Sequence, residues 1–438
     1  MLYIHATIIT IDATRQIIED GAIYVDNDTI ADIGKTTILL QRYPHEKRYN
    51  LGGCIVVPGL VSTHIHTIQT LLRGTADNLA KETWLSERVR PLQRSMTNAD
   101  AQVSVKLTIA EMLKSGTTSF LECLFFPAHD FDELCQTVQD SGIRACLSRL
   151  SLEGVKHGRW PKPGESLLSG AMKAWEKWNG AANDRIRLKR LSTASRTHGI
   201  PITIHLAESK ADTEYLASLG FTPAAYAEAV GLLSPLTVLA HAVHVDETLD
   251  IPMIASSGAH ISHCPTSNSK LGSGTSPVPK LLAAGVNVSL GTDGAPCNNT
   301  CDLFLEMKQA AIAHNTPENP APIPAEMVLE MATINGAKAL GLDHLIGSLE
   351  VGKKADFVAL DMNKVALQPC VNPVSNVVYA ATGRDVHVVV VNGQIVVEDG
   401  RLLTLDEEAI LTAAKQTICE VLKKANLHDQ VKPHWPLK

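Results

Sequence analysis

Short apolar runs alternate with amphipathic stretches through the middle of the chain. Such runs are typical of strands that are buried on both faces of a parallel sheet. The stretches between them, among them 100–115, 210–230 and 300–314, have the spacing of helices. Eight strand–helix units predict an α/β fold, a (β/α)8 TIM-type barrel. The eight runs are CIVVPGLVSTHIH, TTSFLECLF, IRACLSRL, RIRLK, PITIHLAE, TVLAHAV, AHISHCP and VNVSLGTD.

Both ends of the chain have a different pattern. Residues 1–57 and 347–405 alternate apolar and polar side chains and turn at Gly, Asp or Asn, as hairpins do. Neither region is large enough to bury a good core alone, so we expect the two to pair into one small β-sandwich module. An amphipathic helix over 410–425 closes it. The predicted domains are 1–57, 58–346 and 347–438, of which the first and third form one unit.

Composition excludes several classes of function. The 438 residues are 45% hydrophobic and 19% charged, which is typical of a globular protein, and the net charge of −7 offers no surface for nucleic acid. No apolar run reaches the ~18 residues that span a membrane, and the start of the chain does not read as a signal peptide. The nine cysteines are scattered without a C-x-x-C pair, so we expect a reduced, cytoplasmic protein.

Polar side chains occupy the ends of five predicted strands. The carboxyl ends of all strands in such a barrel meet at one face, where catalytic groups are found, whereas packing alone favours Val, Ile or Leu there. We therefore expect these side chains to form one site. They are His64 and His66 on the first strand, His205 followed by Glu208 on the fifth, His241 on the sixth, His263 on the seventh and Asp293 on the eighth.

Each of these residues also has a structural interpretation. A single strand-end histidine is often a hydrogen-bonded core residue, Asp293 in GTDGAP can form a turn or cap a helix, and Glu208 can begin a helix. The coincidence at five strands favours a site over packing. Four further histidines lie off the strand tips or on helices and are expected to be structural: His198, His244, His260 and His314.

Three imidazoles and a carboxylate suit a divalent transition metal with an open position for water. A metal lowers the pKa of such a water toward 7. Glu208 lies three residues after His205, where it can face the pocket without binding the metal, and we expect it to act as general acid and base. His241 and Asp293 would orient and deprotonate the water, and His263 would contact the substrate or support the site.

The motifs PGLVSTHIH, HLAES, LAHAVH, SHCPTSN and GTDGAPCNN resemble the amidohydrolase superfamily over nearly the whole chain. The spacing of His205 and Glu208 is similar to that of its aminohydrolase branch, which holds methylthioadenosine/S-adenosylhomocysteine deaminases, guanine-type deaminases and s-triazine hydrolases. The resemblance implies one zinc per chain, with Fe²⁺ as the alternative. It implies proton transfer by Glu208 and His241, and a homo-oligomer. The implied metal ligands are His64, His66, His205 and Asp293.

The resemblance also implies a small-molecule heterocyclic substrate. Residues 73–85, RGTADNLAKETWL, resemble a loop that covers the substrate, and this covering segment contains Trp84. The residues implied to bind substrate are Trp84, Gln93, Arg149, Glu208 and His263. The expected reaction is hydrolytic deamination of an adenosine-type nucleoside. Deamination of another purine or a pterin, or displacement of halide or alkylamine from an s-triazine, stays open.

Two features depart from that family. Gln93 stands in RPLQ where the family usually has a glutamate, so a charge-assisted hydrogen bond is lost. Only 190–200 separate Lys189 from Pro201, and no residue there matches a substrate-contacting histidine of the family. The short fourth unit, with a truncated strand, indicates either a variant with a wider pocket or a damaged, non-catalytic form. A third hypothesis makes Lys189 a carboxylated bridge between two metals.

Overall fold

The computed structural model of the protein describes residues 1–126, 129–149, 167–189 and 202–432, together with residue 435. Within these residues no helix is both long and apolar enough to cross a membrane. The segment 190–200, and with it His198, lies outside the described residues.

The described strands, β1 to β17, fall into three sheets. In chain order they are Leu2–Ile9, Ile17–Asp26, Thr29–Lys35, Arg48–Asn50, Cys54–Pro58, Leu60–Ile65, Thr117–Phe125, Arg144–Arg149, Ile186–Lys189, Ile202–Leu206, Thr237–His241, His260–His263, Val288–Leu290, Phe357–Asp361, Val386–Val391, Gln394–Glu398 and Arg401–Leu402.

Helices separate the strands of the middle region, as the periodicity predicts. Residues 210–230 form two helices rather than one, because Thr222 caps a second start with Pro223 at its first position. The α-helices of six or more residues are Thr36–Arg42, Arg90–Ser95, Asn98–Lys114, Phe131–Ser141, Leu167–Trp178, Lys210–Ser218, Pro223–Ala229, Asp250–Ser257, Pro265–Lys270, Val278–Ala283, Leu303–Ile312, Ala325–Met331, Ile334–Leu340 and Glu407–Lys424.

Two four-stranded parallel sheets, β6-β7-β8-β9 and β10-β11-β12-β13, contain the eight predicted strands of the middle region. Every pairing within them is parallel. The fourth predicted strand is present as β9, which pairs with β8 from Ala145↔Ile186 to Ser148↔Lys189, where the described residues break off. The middle region is therefore a parallel α/β structure.

The first predicted strand, 54–66, is two strands in the structure. β5 ends at Pro58 and belongs to the sheet of the termini, whereas β6 begins at Leu60 in the parallel sheet. Gly59 turns the chain between them, and a Cβ there would lie 2.1 Å from Oγ1 of Thr118. The sequence pattern missed this break because both strands are apolar throughout.

Both ends of the chain share the third sheet, which has nine strands. The antiparallel pairing of β5 with β14, for example Val57↔Val358, joins the N-terminal strands to the C-terminal ones. The strands form one hydrogen-bonded sheet rather than the two of a simple sandwich. Their apolar side chains nevertheless pack together, as the edge-to-face contact of Tyr3 with Phe357 at 5.0 Å illustrates.

Arg144 links the parallel sheet to the sheet of the termini. It begins β8, is fully buried, and donates through Nε and Nη2 to the two carboxylate oxygens of Asp356 at 2.9 and 3.1 Å. Nη2 also donates to Oδ1 of Asn392 at 3.1 Å, and the Asn392 backbone N–H donates to Asp356. A buried charge is tolerated because its partner and hydrogen bonds are complete.

Candidate active site

The first and last strands of the parallel sheets lie side by side, and this brings their polar ends together. The backbone N–H of Asp293 donates to the carbonyl of His64 at 2.9 Å. Below them, Thr63 Oγ1 donates to the carbonyl of Leu290 at 2.9 Å. These bonds place Asp293 directly against the His-x-His pair, although Asp293 lies 227 positions after His66 in the chain.

Three histidines surround the Asp293 carboxylate and one another. Oδ1 of Asp293 lies 3.2 Å from Nε2 of His66 and 3.5 Å from Nε2 of His64. The Nε2 atoms of His66 and His205 are 3.4 Å apart. His64, His66 and Asp293 are buried, whereas His205 is exposed. The predicted ligand set thus converges on one small volume.

The free nitrogens of these rings fit a metal ion. Both ring nitrogens of His64, Nδ1 of His66 and Nε2 of His241 are buried without a hydrogen-bond partner among the described residues. Unpaired buried polar atoms are costly, so several in one place indicate a missing ligand. One nitrogen or oxygen from each of His64, His66 and Asp293 lies within 4.8 Å of the others, and so do the nitrogens of His64, His205 and His241.

The ionisation states also suit metal ligands, which must be deprotonated. Burial lowers the pKa of His64 to about 4, so its imidazole is neutral at pH 7. Burial alone would raise the pKa of Asp293, but the imidazoles of His64 and His66 outweigh it and hold that pKa well below its ordinary value. A neutral imidazole and an ionised carboxylate therefore face each other.

His241 presents one defined nitrogen to this cluster. Its Nδ1 lies 2.9 Å from Oδ1 of Asn268, a contact that suits an Nδ1–H donor, and its Nε2 faces the cluster. Nε2 lies 3.8 Å from Oε2 of Glu208 and 3.9 Å from Oδ2 of Asp293. Nε2 of His241 therefore lies between two carboxylates.

Two hydrogen bonds fix the orientation of the Asp293 carboxylate. Ser267 Oγ donates to Oδ2 at 2.6 Å, and the Gly294 N–H donates to Oδ1 at 2.7 Å. The residue has a φ of +58°, and His241 has a φ of +72°, both in the left-handed region that non-glycine residues rarely adopt. Such backbone strain is concentrated at functional sites, where surrounding contacts enforce it.

The covering segment lies beside the cluster. Trp84 is buried, and its Nε1 donates to the carbonyl of Pro296 at 3.4 Å. Lys81 Nζ lies 3.0 Å from Oε2 of Glu208. Gln93 follows on the helix Arg90–Ser95; its side chain is buried, and its Nε2 has no hydrogen-bond partner in the part of the chain that the structure describes.

Other predicted residues have different surroundings. His263 ends β12 with Nε2 at 3.4 Å from Nε2 of His314, so it is paired with a histidine that the sequence assigned to a structural role. His244 and His260 do have structural hydrogen bonds, to the carbonyls of Ser273 and Pro235. Arg149 ends β8 and Lys189 ends β9, and the side chains of both lie outside the described part of the structure.

Sequence reasoning missed three side chains that support the site. Glu122 is fully buried and accepts from the Thr67 N–H at 2.7 Å, directly after His66. A lone carboxylate in the apolar run TTSFLECLF could have revealed it, because charges are rarely buried without a purpose. Asn268 and Lys81 carried no such signal, since each stands among ordinary polar residues.

Comparison with known proteins adds an independent line of evidence. The sequence profile described as the amidohydrolase family matches residues 55–396. This range includes every residue of the cluster. The chain belongs to the amidohydrolase family.

Curated members of the family match the chain over nearly its full length. The chain is 35% identical over 430 residues to a 5-methylthioadenosine/S-adenosylhomocysteine deaminase of Syntrophobacter fumaroxidans, covering 94% of this chain and 96% of the relative. It is 36% identical over 440 residues to a 5'-deoxyadenosine deaminase of Methanosarcina mazei, covering 96% and 98%. The amidohydrolase is therefore a hydrolase that acts on carbon–nitrogen bonds.

A solved structure agrees with this assignment. An adenosine deaminase from Xanthomonas campestris with bound zinc superposes with a TM-score of 0.87 at 28% identity, covering 96% of this chain and 98% of that one. The zinc of that protein and the unpaired nitrogens of this amidohydrolase support a divalent metal at the His/Asp cluster.

Proposed function

We propose that the protein hydrolytically deaminates adenosine-type nucleosides of the methylthioadenosine, S-adenosylhomocysteine or 5'-deoxyadenosine kind. The observation that carries the proposal is the pairing of Glu208 and His241 beside the His64/His66/Asp293 cluster. The names of full-length relatives at 35 and 36% identity support the substrate class. Deamination of another purine or pterin, or hydrolysis of a triazine, is the alternative that a substrate panel decides.

We propose one zinc per chain, with Fe²⁺ as the alternative metal, bound by His64, His66, His205 and Asp293. When bound, the metal supplies a water of lowered pKa at neutral pH. His241 Nε2 lies 3.9 Å from Asp293 Oδ2, and this proximity supports a role for both residues in orienting the attacking water and accepting its proton.

Glu208 is proposed as the residue that delivers protons to the substrate. Its carboxyl is 12% exposed and lies next to His241, so it borders the cluster without belonging to the ligand set. In the proposed reaction Glu208 first protonates the ring nitrogen next to the attacked carbon, which makes that carbon electrophilic. The two protons of the attacking water balance the reaction: one replaces the proton that Glu208 gave to the ring nitrogen, and Glu208 helps to pass the other to the departing amine, which leaves as ammonia.

The remaining site residues are proposed to bind the nucleoside. Trp84 would pack beside the base, and the free Nε2 of Gln93 would donate to a polar group of the ligand. Arg149 would reach the far end of the substrate, and His263 would contact it or support the site. Because Gln93 is neutral, its hydrogen bond is weaker than that of a carboxylate.

At the scale of the chain, we propose that the two parallel sheets close into one (β/α)8 barrel spanning 58–346. Segments 1–57 and 347–438 would form the accompanying module, and the enzyme would be a homo-oligomer. A closed barrel requires β6 to lie beside β13 and β9 to lie beside β10. Contacts between the ends of β6 and β13 support the first of these two junctions.

Two measurements test the function. Elemental analysis of chelator-free protein should find about one zinc per chain, and an ammonia-release panel should give the highest kcat/KM with an adenosine-type nucleoside. Adenosine, methylthioadenosine, S-adenosylhomocysteine, 5'-deoxyadenosine, guanine, a pterin and a chloro-s-triazine make up the panel. Two metals per chain would revive Lys189 as a bridging ligand. If the protein held no metal even after zinc was added back, the result would favour the hypothesis of a damaged, non-catalytic form.

Glu208→Gln separates the proton role from the metal site. The amide keeps the shape of the side chain but cannot carry a proton, so we expect turnover to fall at least about a hundredfold, the size of a general acid–base contribution. The zinc content should stay at the wild-type value. Full activity in the variant would refute the role of Glu208, and lost zinc would make it a ligand. Glu214→Gln, on the neighbouring helix Lys210–Ser218, is the matched control.

A further inference from the structure

The covering segment, residues 73–85, is held by a pair of lysine contacts. At its centre, Lys270 Nζ donates to Oδ1 of Asp77 at 2.5 Å and to the carbonyl of Pro296 at 2.9 Å. Lys270 comes from the helix Pro265–Lys270 after β12 and anchors the segment from outside. Near its end, Lys81 of the segment itself contacts the site.

The Lys81 contact involves the proton-carrying carboxylate. Lys81 Nζ lies 3.0 Å from Oε2 of Glu208 and 3.7 Å from Oδ2 of Asp212. The side chains of Lys81 and Glu208 are only 17% and 12% exposed, so the pair is shielded more than an ordinary surface ion pair. A contact of this kind fixes a carboxylate more firmly than solvent does.

Both contacts of Glu208 use the same oxygen. Oε2 faces Lys81 at 3.0 Å and His241 at 3.8 Å, so Lys81 and His241 lie on the same side of the carboxylate. The other oxygen, Oε1, takes no part in either contact. An ammonium group at Oε2 therefore sets the rotation of the carboxylate and the direction in which Oε1 points.

We propose that Lys81 is a positioning residue that orients Glu208 for proton transfer whenever the covering segment is closed. The inference rests on the proposed function and adds that closure of the covering segment is coupled to the orientation of Glu208. Closing the segment excludes water and completes the site in one movement, because the lysine that reaches Glu208 is carried by the segment itself. An open segment leaves Glu208 without its cation and in a poor orientation.

Lys270 provides the matched control, since it holds the same segment without touching Glu208. Lys81→Met and Lys270→Met each remove one ammonium and keep an apolar stem of similar length. Lys81→Arg keeps the cation. Three readouts apply to every variant: zinc content, amide hydrogen exchange of peptides covering 73–85, and kcat and KM on the best nucleoside of the panel.

We expect both methionine variants to exchange faster over 73–85 and to keep their zinc. Lys81→Met should lower kcat by about tenfold or more with a smaller change in KM, because an orientation effect acts on the chemical step. Lys270→Met should mainly raise KM, and Lys81→Arg should recover most of kcat.

Equal kcat in Lys81→Met and wild type would overturn the proposal. So would the same loss of kcat in both methionine variants, since Lys81 would then be only a tether of the segment. Failure of the proposed function is distinguishable, because a wild-type protein without deaminase activity fails the nucleoside panel before any variant is made. In that case the exchange measurement still reports whether Lys81 closes the segment.

Discussion

At the scale of single residues, two histidines of the site differ in their hydrogen-bond partners although they are the same residue type. Among the described residues His64 has no hydrogen-bond partner at either nitrogen, whereas His241 has Asn268 at Nδ1. The first ring therefore has both nitrogens unused in this part of the chain, and the second is held by Asn268 with Nε2 toward Glu208. The side-chain amide of Asn268 thus gives two strand-end histidines different hydrogen bonding.

Asn268→Ala tests this assignment. Without the Oδ1 acceptor the Nδ1 proton of His241 is no longer fixed, so we expect kcat to fall by about 10- to 100-fold, the usual effect of removing such an outer partner. The zinc content should not change if His241 is not a ligand. Steady-state kinetics and elemental analysis measure the two quantities.

The control is another asparagine that bonds a histidine away from the site. Asn287 Nδ2 lies 2.9 Å from Nδ1 of His260, and we expect Asn287→Ala to leave kcat near the wild-type value. If Asn268→Ala removed the zinc, His241 would be a metal ligand and the role of proton acceptor would be contradicted.

At the scale of elements, the break between β5 and β6 decides how the site is placed. β5 runs in the sheet of the termini, and β6 carries His64 in the parallel sheet. The backbone N–H of Gly59 donates to the carbonyl of Asp356 at 2.9 Å, and the space that a Cβ would need is filled by Thr118. One glycine thus lets two apolar strands diverge into different sheets.

Gly59→Ala should destabilise the protein. The added methyl carbon would lie 2.1 to 2.8 Å from three side-chain atoms of Thr118, and overpacking of this kind costs about 1–3 kcal/mol. Urea unfolding of the zinc-loaded protein measures the change in the free energy of unfolding. The double variant Gly59→Ala/Thr118→Ala should recover part of the loss, because it removes two of the three clashing atoms. An unchanged free energy of unfolding in Gly59→Ala would show that the backbone adjusts freely here.

At the scale of the whole molecule, the ion pair of Arg144 and Asp356 joins two sheets that are built from distant parts of the sequence. Both side chains are 1% exposed. Such a pair adds little to stability compared with apolar packing, but it is costly to break, because the remaining charge stays buried. Because Arg144 binds both carboxylate oxygens of Asp356, the ion pair also restricts how the two sheets can be placed relative to each other.

Arg144→Met should lower the free energy of unfolding by about 3–5 kcal/mol, since Asp356 is left as an uncompensated buried charge. The double variant Arg144→Met/Asp356→Leu should recover most of this loss. Chemical denaturation of the wild type, Arg144→Met, Asp356→Leu and the double variant gives a double-mutant cycle. Arg42→Met, which breaks a more exposed ion pair with Asp32, is the control and should change stability by less than about 1 kcal/mol. A small effect of Arg144→Met would mean that water reaches Asp356.

The sequence by itself determined the composition of the site and the order of the elements. Apolar runs with period two or with uniform burial predicted all eight strands of the middle region, and the polar residues at their ends gave a candidate set that the structure brings together: His64, His66, His205, Glu208, His241 and Asp293. These are local signals: each depends on the hydrophobicity of a few neighbouring residues, which a sequence contains in full.

The tertiary structure alone decided which groups meet. The turn at Gly59, the pairing of β9 with β8, the contact of His241 with Asn268 and the contact of Lys81 with Glu208 each depend on residues far away along the chain. Packing and hydrogen-bond geometry set these contacts, and no local pattern encodes a partner that lies tens or hundreds of residues distant. The ligand types could therefore be predicted from the sequence, whereas the orientation of each ligand could not.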